Sequence, residues 1–346
     1  MTSEPGRTLR LHRDADALAA NWRTLDAMSG AASAGAAVKA DAYGIGVDFA
    51  VPVLRDAGCG TFFVAHWSEV ANVVAHVPGN RISVLHGPLT GEDCAYARAT
   101  GARPVINSLY QAKLWLEGGG GPCDLMVDTG INRLGLAPEE TGDPLVARLA
   151  IDTIMSHLAC ADEEHPLNAK QLAAAHEIFA ALPAKRRSLA NSAGIALGAD
   201  YAFDLTRPGI SLYGGSQVPA LESAIRQVAF PEAAIIQRHV LKAGDSTGYN
   251  AQFTAKSDME VATISIGYAD GFLRCWTGKA VLRHEGAELP VLGRVSMDMV
   301  VVDVSAAPQL REGDWISIPY GLPEASAVSG LSQYELLTGL SRRFAR

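Results

Sequence analysis

From residue 36 to about residue 225, short apolar runs alternate with longer stretches in which Ala and Leu recur at helical spacing. No other feature of the sequence constrains the fold as strongly. The runs are rich in β-branched and aromatic residues: Ala36 to Val38, Thr61 to Ala65, Ile82 to His86, Pro104 to Ile106, Leu125 to Val127 and Thr153 to Met155. The helix-like stretches include Asp14 to Met28, Leu109 to Glu117 and Asn168 to Leu182. Strand–helix alternation over about 200 residues predicts a parallel sheet, and this many units makes a (β/α)8 barrel the economical architecture. An open doubly wound sheet is the alternative.

Near residue 225 the texture changes. From Ala229 onward, AAIIQRHVL, VATISIG, KAVLRHEG, AELPVLG, MVVVDVS and REGDWISIP read as strands separated by Gly- and Asp-bearing turns. That pattern predicts a mainly antiparallel β domain, with only Ser329 to Arg346 helical. The expected boundaries are 8–225 for the barrel and 226–346 for the β domain, to which an N-terminal strand at about 6–13 can also pack.

The length of 346 residues suits two domains, and 48% hydrophobic against 19% charged residues provides for a large core. A net charge of −8 argues against a nucleic-acid partner but not against a local cationic pocket. Five scattered cysteines with no C-x-x-C pair predict neither a metal site nor a disulfide framework. The N-terminus has no apolar signal segment, and no apolar run reaches membrane-spanning length. The expectation is a cytoplasmic protein with no membrane partner.

Several segments carry residues fit for chemistry. In VKADAYGIG, Lys39 follows the strand residue Val38. Strand C-termini face the active site of a barrel, and a lysine desolvated there becomes a nucleophile; a surface lysine at a strand end is the bland alternative. NSAG (Asn191 to Gly194) and RPGISLYG (Arg207 to Gly214) come late in the barrel, where βα loops often bind phosphate, and Ser192, Gly209 and Ile210 are suitable donors. An ordinary turn fits the same residues. His157, in SHLACADE, suits stacking on a ring, proton relay or a plain core hydrogen bond. Tyr249 in GYNAQFT, Tyr268 in IGYADGF, and Met297 and Asp298 in GRVSMDMV sit at Gly-bearing strand ends, where ordinary turns also place such residues.

Together with VDTGINRLG, these segments make eight ordered matches that resemble the alanine racemase family, from about Thr8 to the C-terminus. The resemblance implies a fold-type III enzyme using pyridoxal 5'-phosphate, with Lys39 bonded to it as a Schiff base. It places Tyr43, Ser192, Gly209 and Ile210 at the phosphate, with Asn191 beside them. Arg207 faces the pyridine nitrogen and Arg133 the phenolic oxygen. His157 lies against the ring and bridges Arg207 to Tyr249, the second catalytic base, which a partner subunit's β domain delivers. Tyr268, Met297 and Asp298 also come from that partner, as substrate-binding residues along with Arg133. Asp162, Arg274 and Arg294 match a substrate corridor.

The implied reaction interconverts L-alanine and D-alanine and supplies D-alanine for peptidoglycan, in a homodimer with shared active sites. A broader serine/alanine racemase and a fold-type III amino-acid decarboxylase are the rivals. Cys275, in LRCWTG, does not match the decarboxylase acid motif. A barrel-only carrier of the cofactor lacks any β domain. A barrel with a structural lysine that binds another phosphorylated metabolite is the rival from outside this chemistry. The chain departs from the family at Met126, where many members carry a carbamylated lysine that holds the following arginine, and at Arg342, where some place a phosphate-binding tyrosine.

Overall fold

The computed structural model describes residues 6–340 and 342–345, and the first five residues of the N-terminus, read above as carrying no apolar signal segment, lie outside them. The chain divides into two compact units. One runs from Ala15 to Arg226; the other joins the segment ending at Asp14 to the chain from Gln227 onward.

After β1 (Leu9–Arg13), the first unit opens with α1 (Ala15–Met28), β2 (Ser33–Ala34), β3 (Ala36–Ala37), a single turn α2 (Lys39–Tyr43) and α3 (Val47–Ala57). Strand and helix then alternate through β4 (Phe62–Val64), α4 (Trp67–Val74), β5 (Ile82–Val84), α5 (Gly91–Thr100), β6 (Arg103–Ile106), α6 (Leu109–Glu117) and β7 (Pro122–Met126). β8 (Ala150–Met155), α7 (Pro166–Ala181), β9 (Arg186–Ser188), α8 (Ser192–Ala196), α9 (Ala199–Ala202), β10 (Leu205–Thr206) and α10 (Pro219–Glu222) complete the unit.

β3 to β9 form a curled seven-stranded parallel sheet in chain order, and β2 pairs in parallel with β10. Backbone bonds also link β10 to β9: Asp204 N donates to Arg187 O at 3.1 Å and Arg207 N to Ala190 O at 2.8 Å. Gly35, between β2 and β3, has to be glycine, because a Cβ there would lie 3.0 Å from Thr61 O and 2.9 Å from the Phe63 ring.

Three of these strands escaped the sequence reading: β2, β9 and β10. They are two or three residues long, and β9 is Arg-Arg-Ser, so no apolar run betrays them. Arg186 on β9, like Arg103 on β6, has a carboxylate partner in the sheet. Arg186 Nη2 bonds Asp152 Oδ2 at 2.7 Å, Arg103 Nε lies 3.4 Å from the fully buried Asp124, and Thr153 N donates to Asp124 at 3.0 Å. Buried charges are tolerable only when paired in this way.

The second unit continues with β11 (Ala229–Leu241), β12 (Ser246–Thr247), β13 (Phe253–Thr254), β14 (Met259–Ile264), β15 (Val281–His284), β16 (Ala287–Leu292), β17 (Val300–Asp303), β18 (Trp315–Ser317), α11 (Leu322–Ser329) and α12 (Gln333–Thr338). Its main sheet is antiparallel and barrel-like, because β18 returns to pair with β11. The long β11 also pairs with β1, Leu9 opposite Ala233.

The helical tail differs from expectation. Helix begins at Leu322, one residue before Pro323 in the first turn, and stops at Gly330, whose φ of 77° ends it. A second short helix follows, and Ala345 N then donates to Leu9 O in a strand-like bridge. The tail reading also covered Ser341 and Arg346, which lie outside the described residues.

Among the described residues, no helix is long and apolar enough to cross a membrane, and no group of three or more His, Cys, Asp or Glu is placed to hold a metal. All five cysteines are free thiols.

Candidate active site

In the parallel unit, every candidate residue lies just beyond the C-terminal end of a strand. Lys39 follows β3, Arg133 lies in the loop after β7, His157 follows β8, Asn191 and Ser192 follow β9, and Arg207, Gly209 and Ile210 follow β10. Strands that rise in parallel deliver their next residues to one end of the sheet, and loops of different lengths then converge.

The backbone after Lys39 is unusual. Ala40, Asp41, Ala42 and Tyr43 all have φ between 53° and 56°, a full left-handed turn of residues that carry Cβ atoms. Each such residue costs roughly 1–2 kcal/mol relative to the right-handed form. Local bonds hold the turn: Ala42 N donates to Val38 O (3.0 Å), Gly44 N to Ala40 O (2.9 Å) and Gly46 N to Asp41 O (2.9 Å). Asp41 Oδ1 also accepts from Val47 N at 2.9 Å. Strain of this kind concentrates at functional sites, where surrounding structure over-determines it. Burial, with the Arg133 and Arg207 charges, pulls the Lys39 ammonium below its ordinary value, while Glu69 pulls it back up.

Arg207 is buried. It donates through Nη1 to Ser188 Oγ and through Nη2 to Ser156 O at 2.5 Å. Burial lowers its pKa to about 10, so it stays cationic at neutral pH. Burial and the charges of Arg207, Arg133 and Lys39 push His157 down to about 3, so its imidazole is neutral.

Arg133 is exposed and is held by its backbone: its N–H donates to Asp128 Oδ2 at 3.2 Å, and Asp128 Oδ1 accepts from Gly130 N at 2.7 Å. Met126 is buried at the foot of this loop, where a Cβ on Gly135 would lie 3.0 Å from its Cγ. A side chain with no hydrogen-bond donor thus packs the loop from below, and Asp128 shapes it from within.

A small cradle forms around Ser192. Its hydroxyl accepts from Gly209 N (2.9 Å) and Ser211 N (3.4 Å), and Asn191 Oδ1 caps α8 by accepting from Gly194 N (2.8 Å). Tyr43 stacks on Tyr213 with ring centroids 5.0 Å apart. A Cβ on Gly209 would meet Tyr43 Oη at 2.3 Å, so only glycine admits that hydroxyl. Ile210 is buried, and the buried Ser211 hydroxyl has no partner among the described residues.

In the β unit, Tyr268 and the loop from Ser296 to Asp298 are joined. Tyr268 N donates to Ser296 O and Ala269 N to Met297 O, both at 3.0 Å. A Cβ on Gly267 would collide with Met297 O at 2.3 Å. Asp298 Oδ1 is bonded by Arg343 Nη1 at 2.8 Å, and Arg343 Nε also reaches the buried Asp270 at 2.8 Å. Arg274 lies over the Tyr268 ring, 5.2 Å from its centre. Tyr249 opens a tight turn between Gly248 (φ 76°) and Asn250 (φ 63°) and is 68% exposed; Met297 is 53% exposed. Asp162 is exposed and Arg294 half-buried. Arg342 accepts at its carbonyl from Arg7 Nη1 at 2.8 Å.

Comparison with known proteins settles what this arrangement belongs to. The family model for the alanine racemase N-terminal domain matches residues 13–217, and that for the alanine racemase C-terminal domain matches 228–346. The chain belongs to the alanine racemase family. An alanine racemase of Rhizobium meliloti (strain 1021) is 41% identical over 364 residues, covering 97% of this chain and 96% of its own. Among solved structures, the alanine racemase from Bartonella henselae with covalently bound pyridoxal phosphate superposes with a TM-score of 0.90 at 35% identity, covering 99% of both chains. The biosynthetic alanine racemase from Pseudomonas aeruginosa gives 0.89 at 32% identity, again over 99% of both.

Sequence reasoning missed the residues that hold this alanine racemase site in place. Ser156 and Ser188 orient Arg207, Arg343 engages Asp298, and Glu69 reaches the turn after Lys39. Only Glu69 carries a legible signal, because HWSE has a carboxylate three residues after a helix-start position.

Proposed function

We propose that this member of the alanine racemase family interconverts L- and D-alanine with pyridoxal 5'-phosphate, supplying D-alanine for peptidoglycan. The observation that carries the reading is the grouping of a lysine of lowered basicity with two arginines, a neutral histidine and the Ser192–Gly209–Tyr43 cradle on the strand ends of one parallel unit.

The donor set fits the cofactor. Lys39 would bind it covalently through its amine; Tyr43, Ser192, Gly209 and Ile210 would hold its phosphate, with Asn191 fixing α8; Arg207 would face the pyridine nitrogen and Arg133 the phenolic oxygen. When bound, pyridoxal phosphate supplies the electron sink for the charge left by removal of the substrate α-proton. Arg207 can only donate, and its two protein acceptors fix its plane. A partner that stays charged and gives up no proton keeps the sink shallow, which favours return of a proton to the α-carbon over transamination.

Racemisation needs a base on each face. Lys39 would serve the D face and Tyr249 the L face. We propose that a partner subunit's β domain (226–346, with β1 joined to it) delivers Tyr249 to the domain of residues 8–225, together with Tyr268, Met297 and Asp298 for the substrate. The exposure of Tyr249 and Met297 supports this reading. His157, being neutral, would pass a hydrogen bond from Arg207 towards Tyr249, so the cationic charge in that relay is Arg207's own.

The first domain is read as a closed (β/α)8 barrel, supported by the bonds that join β9 to β10 and by the pairing of β10 with β2. The protein is expected to act in the cytoplasm. Alanine is the preferred substrate and serine the second, since one extra group in a small pocket discriminates by only about 1–3 kcal/mol.

The test is to add the cofactor to purified protein and follow optical rotation over a panel of L-amino acids. A visible band bleached by borohydride, with racemisation of alanine above the rest, is expected. No band would overturn the cofactor reading, and carbon dioxide release instead of racemisation would favour the decarboxylase.

A further inference from the structure

Two neighbouring βα units carry the same helix-start device, and only one of them does more than cap a helix. In α5, the carboxylate of Asp93 accepts from Leu89 N (2.8 Å) and Thr90 N (3.0 Å) through Oδ2, while Thr90 Oγ accepts from Asp93 N (3.2 Å). These bonds all stay within that cap. In α4, Glu69 uses Oε2 in the same way, accepting from Ala65 N (2.7 Å) and His66 N (3.0 Å). Its Oε1 turns elsewhere and accepts from Ala40 N at 2.6 Å. That N–H belongs to the peptide joining Lys39 to Ala40, the entry into the left-handed turn. Ala40 is exposed, so without Glu69 its amide would face water.

We infer that Glu69 is a positioning residue for Lys39, its carboxylate pinning the left-handed turn and with it the direction in which the lysine leaves the strand. The inference rests on the reading of Lys39 as the covalent attachment point and first base. A short hydrogen bond from a backbone N–H to a carboxylate is about twice as strong as a neutral one. It acts on the first of four residues in a conformation that none of them prefers, where a small restraint decides the population. Glutamate also has the reach that aspartate lacks: one oxygen completes the α4 cap while the other spans to the next loop.

The charge matters as well as the geometry. The groups acting on the Lys39 amine are the Arg133 and Arg207 cations, which lower its basicity, and Glu69, which raises it. His86, after β5, and His157, after β8, feel the same lysine. Glu69 therefore offsets part of a cationic surplus.

Glu69→Gln keeps the size of the side chain, removes the charge and sets an amide donor against one of the N–H groups. In the full-length holoenzyme it is expected to release cofactor about tenfold faster and to lower kcat for D-alanine about tenfold with little change in KM. The acid limb of that kcat profile should move about one pH unit lower, because the base that must be neutral loses the charge that raised its pKa. Asp93→Asn is the control: it weakens a helix cap in the same way and should leave cofactor release, kcat and the pH profile as in wild type.

A Glu69→Gln enzyme that matches the control in all three readouts would overturn the inference. Should that variant fail to fold, amide exchange in the wild-type protein decides. Protection of the Ala40 N–H by about a thousandfold supports the pin, and free exchange rejects it. If wild type itself forms no cofactor band, the reading of Lys39 falls, while the exchange result still reports on the pin.

Discussion

The two units present their candidate residues in opposite ways. In the parallel unit most are built in, Arg133 and Asp162 being the exposed ones: Arg207 is 7% exposed with two fixed acceptors, Ser192 is 3% exposed under two amides, and Lys39 leaves a turn held by local bonds and by Glu69. In the β unit they stand out on turns, with Tyr249 at 68% and Met297 at 53% exposure. Burial and hydrogen bonding preorganise the first set before any ligand arrives. In the second set Tyr268 and Asp298 have arginine partners within their unit, while Tyr249 and Met297 are left more than half exposed. A large exposed tyrosine and methionine on neighbouring loops suit a surface that a partner completes. The contrast suits the proposed division of work, in which the parallel unit would hold the cofactor and a partner's β unit would bring a base to it.

The largest effect should come from the buried set. Lys39→Ala is expected to lower racemisation by roughly a thousandfold or more and to abolish the borohydride-sensitive band. Tyr249→Phe should lower it by about a hundredfold to ten-thousandfold with the band intact. Being exposed, it should change the unfolding free energy by less than about 0.5 kcal/mol. A lost band in Tyr249→Phe would break the division of labour.

Next come the cofactor contacts. Ser192→Ala removes one hydroxyl from the cradle, and a hydrogen bond to a charged group is worth about 1.5–3 kcal/mol, so cofactor affinity should fall about ten- to a hundredfold in equilibrium dialysis. Gly209→Ala should do at least as much, because its Cβ takes the place of the Tyr43 hydroxyl. Arg207→Glu should raise the ratio of transamination to racemisation; an unchanged ratio would contradict the role given to Arg207.

The smallest effect is in stability. The pKa of His157 is lowered on folding from its ordinary 6.5 to about 3, so the unfolded chain takes up the proton first. The contribution of His157 is therefore complete above about pH 6.5 and is lost as pH falls towards 3. In denaturant melts, His157→Gln should flatten the decline of stability between these limits relative to wild type.

Much of this was legible in the chain. β4, β5, β6 and β8 fall on the apolar runs that announce them, and α6 has the predicted limits of Leu109 and Glu117. Lys39, Ser192, Arg207 and Gly209 are readable because each follows a strand or stands in a Gly-bearing loop. β9 was not legible, since its Arg-Arg-Ser takes its meaning from carboxylates on other strands. The left-handed turn was not legible either, because Ala-Asp-Ala-Tyr prefers the right-handed form and is held otherwise by Glu69, a residue 29 positions away. The loop that carries Arg133 departs from the family at Met126, and the Asp128 carboxylate shapes it by accepting from Gly130 N and Arg133 N, a local device that only coordinates reveal.

The central claim is that one active site draws Lys39 from one copy and Tyr249 from another. Lys39→Ala and Tyr249→Phe subunits, each nearly inactive alone, should be mixed, dissociated and reassociated. Half of the dimers would then be mixed, each with one intact site of two, so activity should return to roughly a quarter of wild type at equal total protein. No gain over the two parents, with subunit exchange confirmed, would contradict the account.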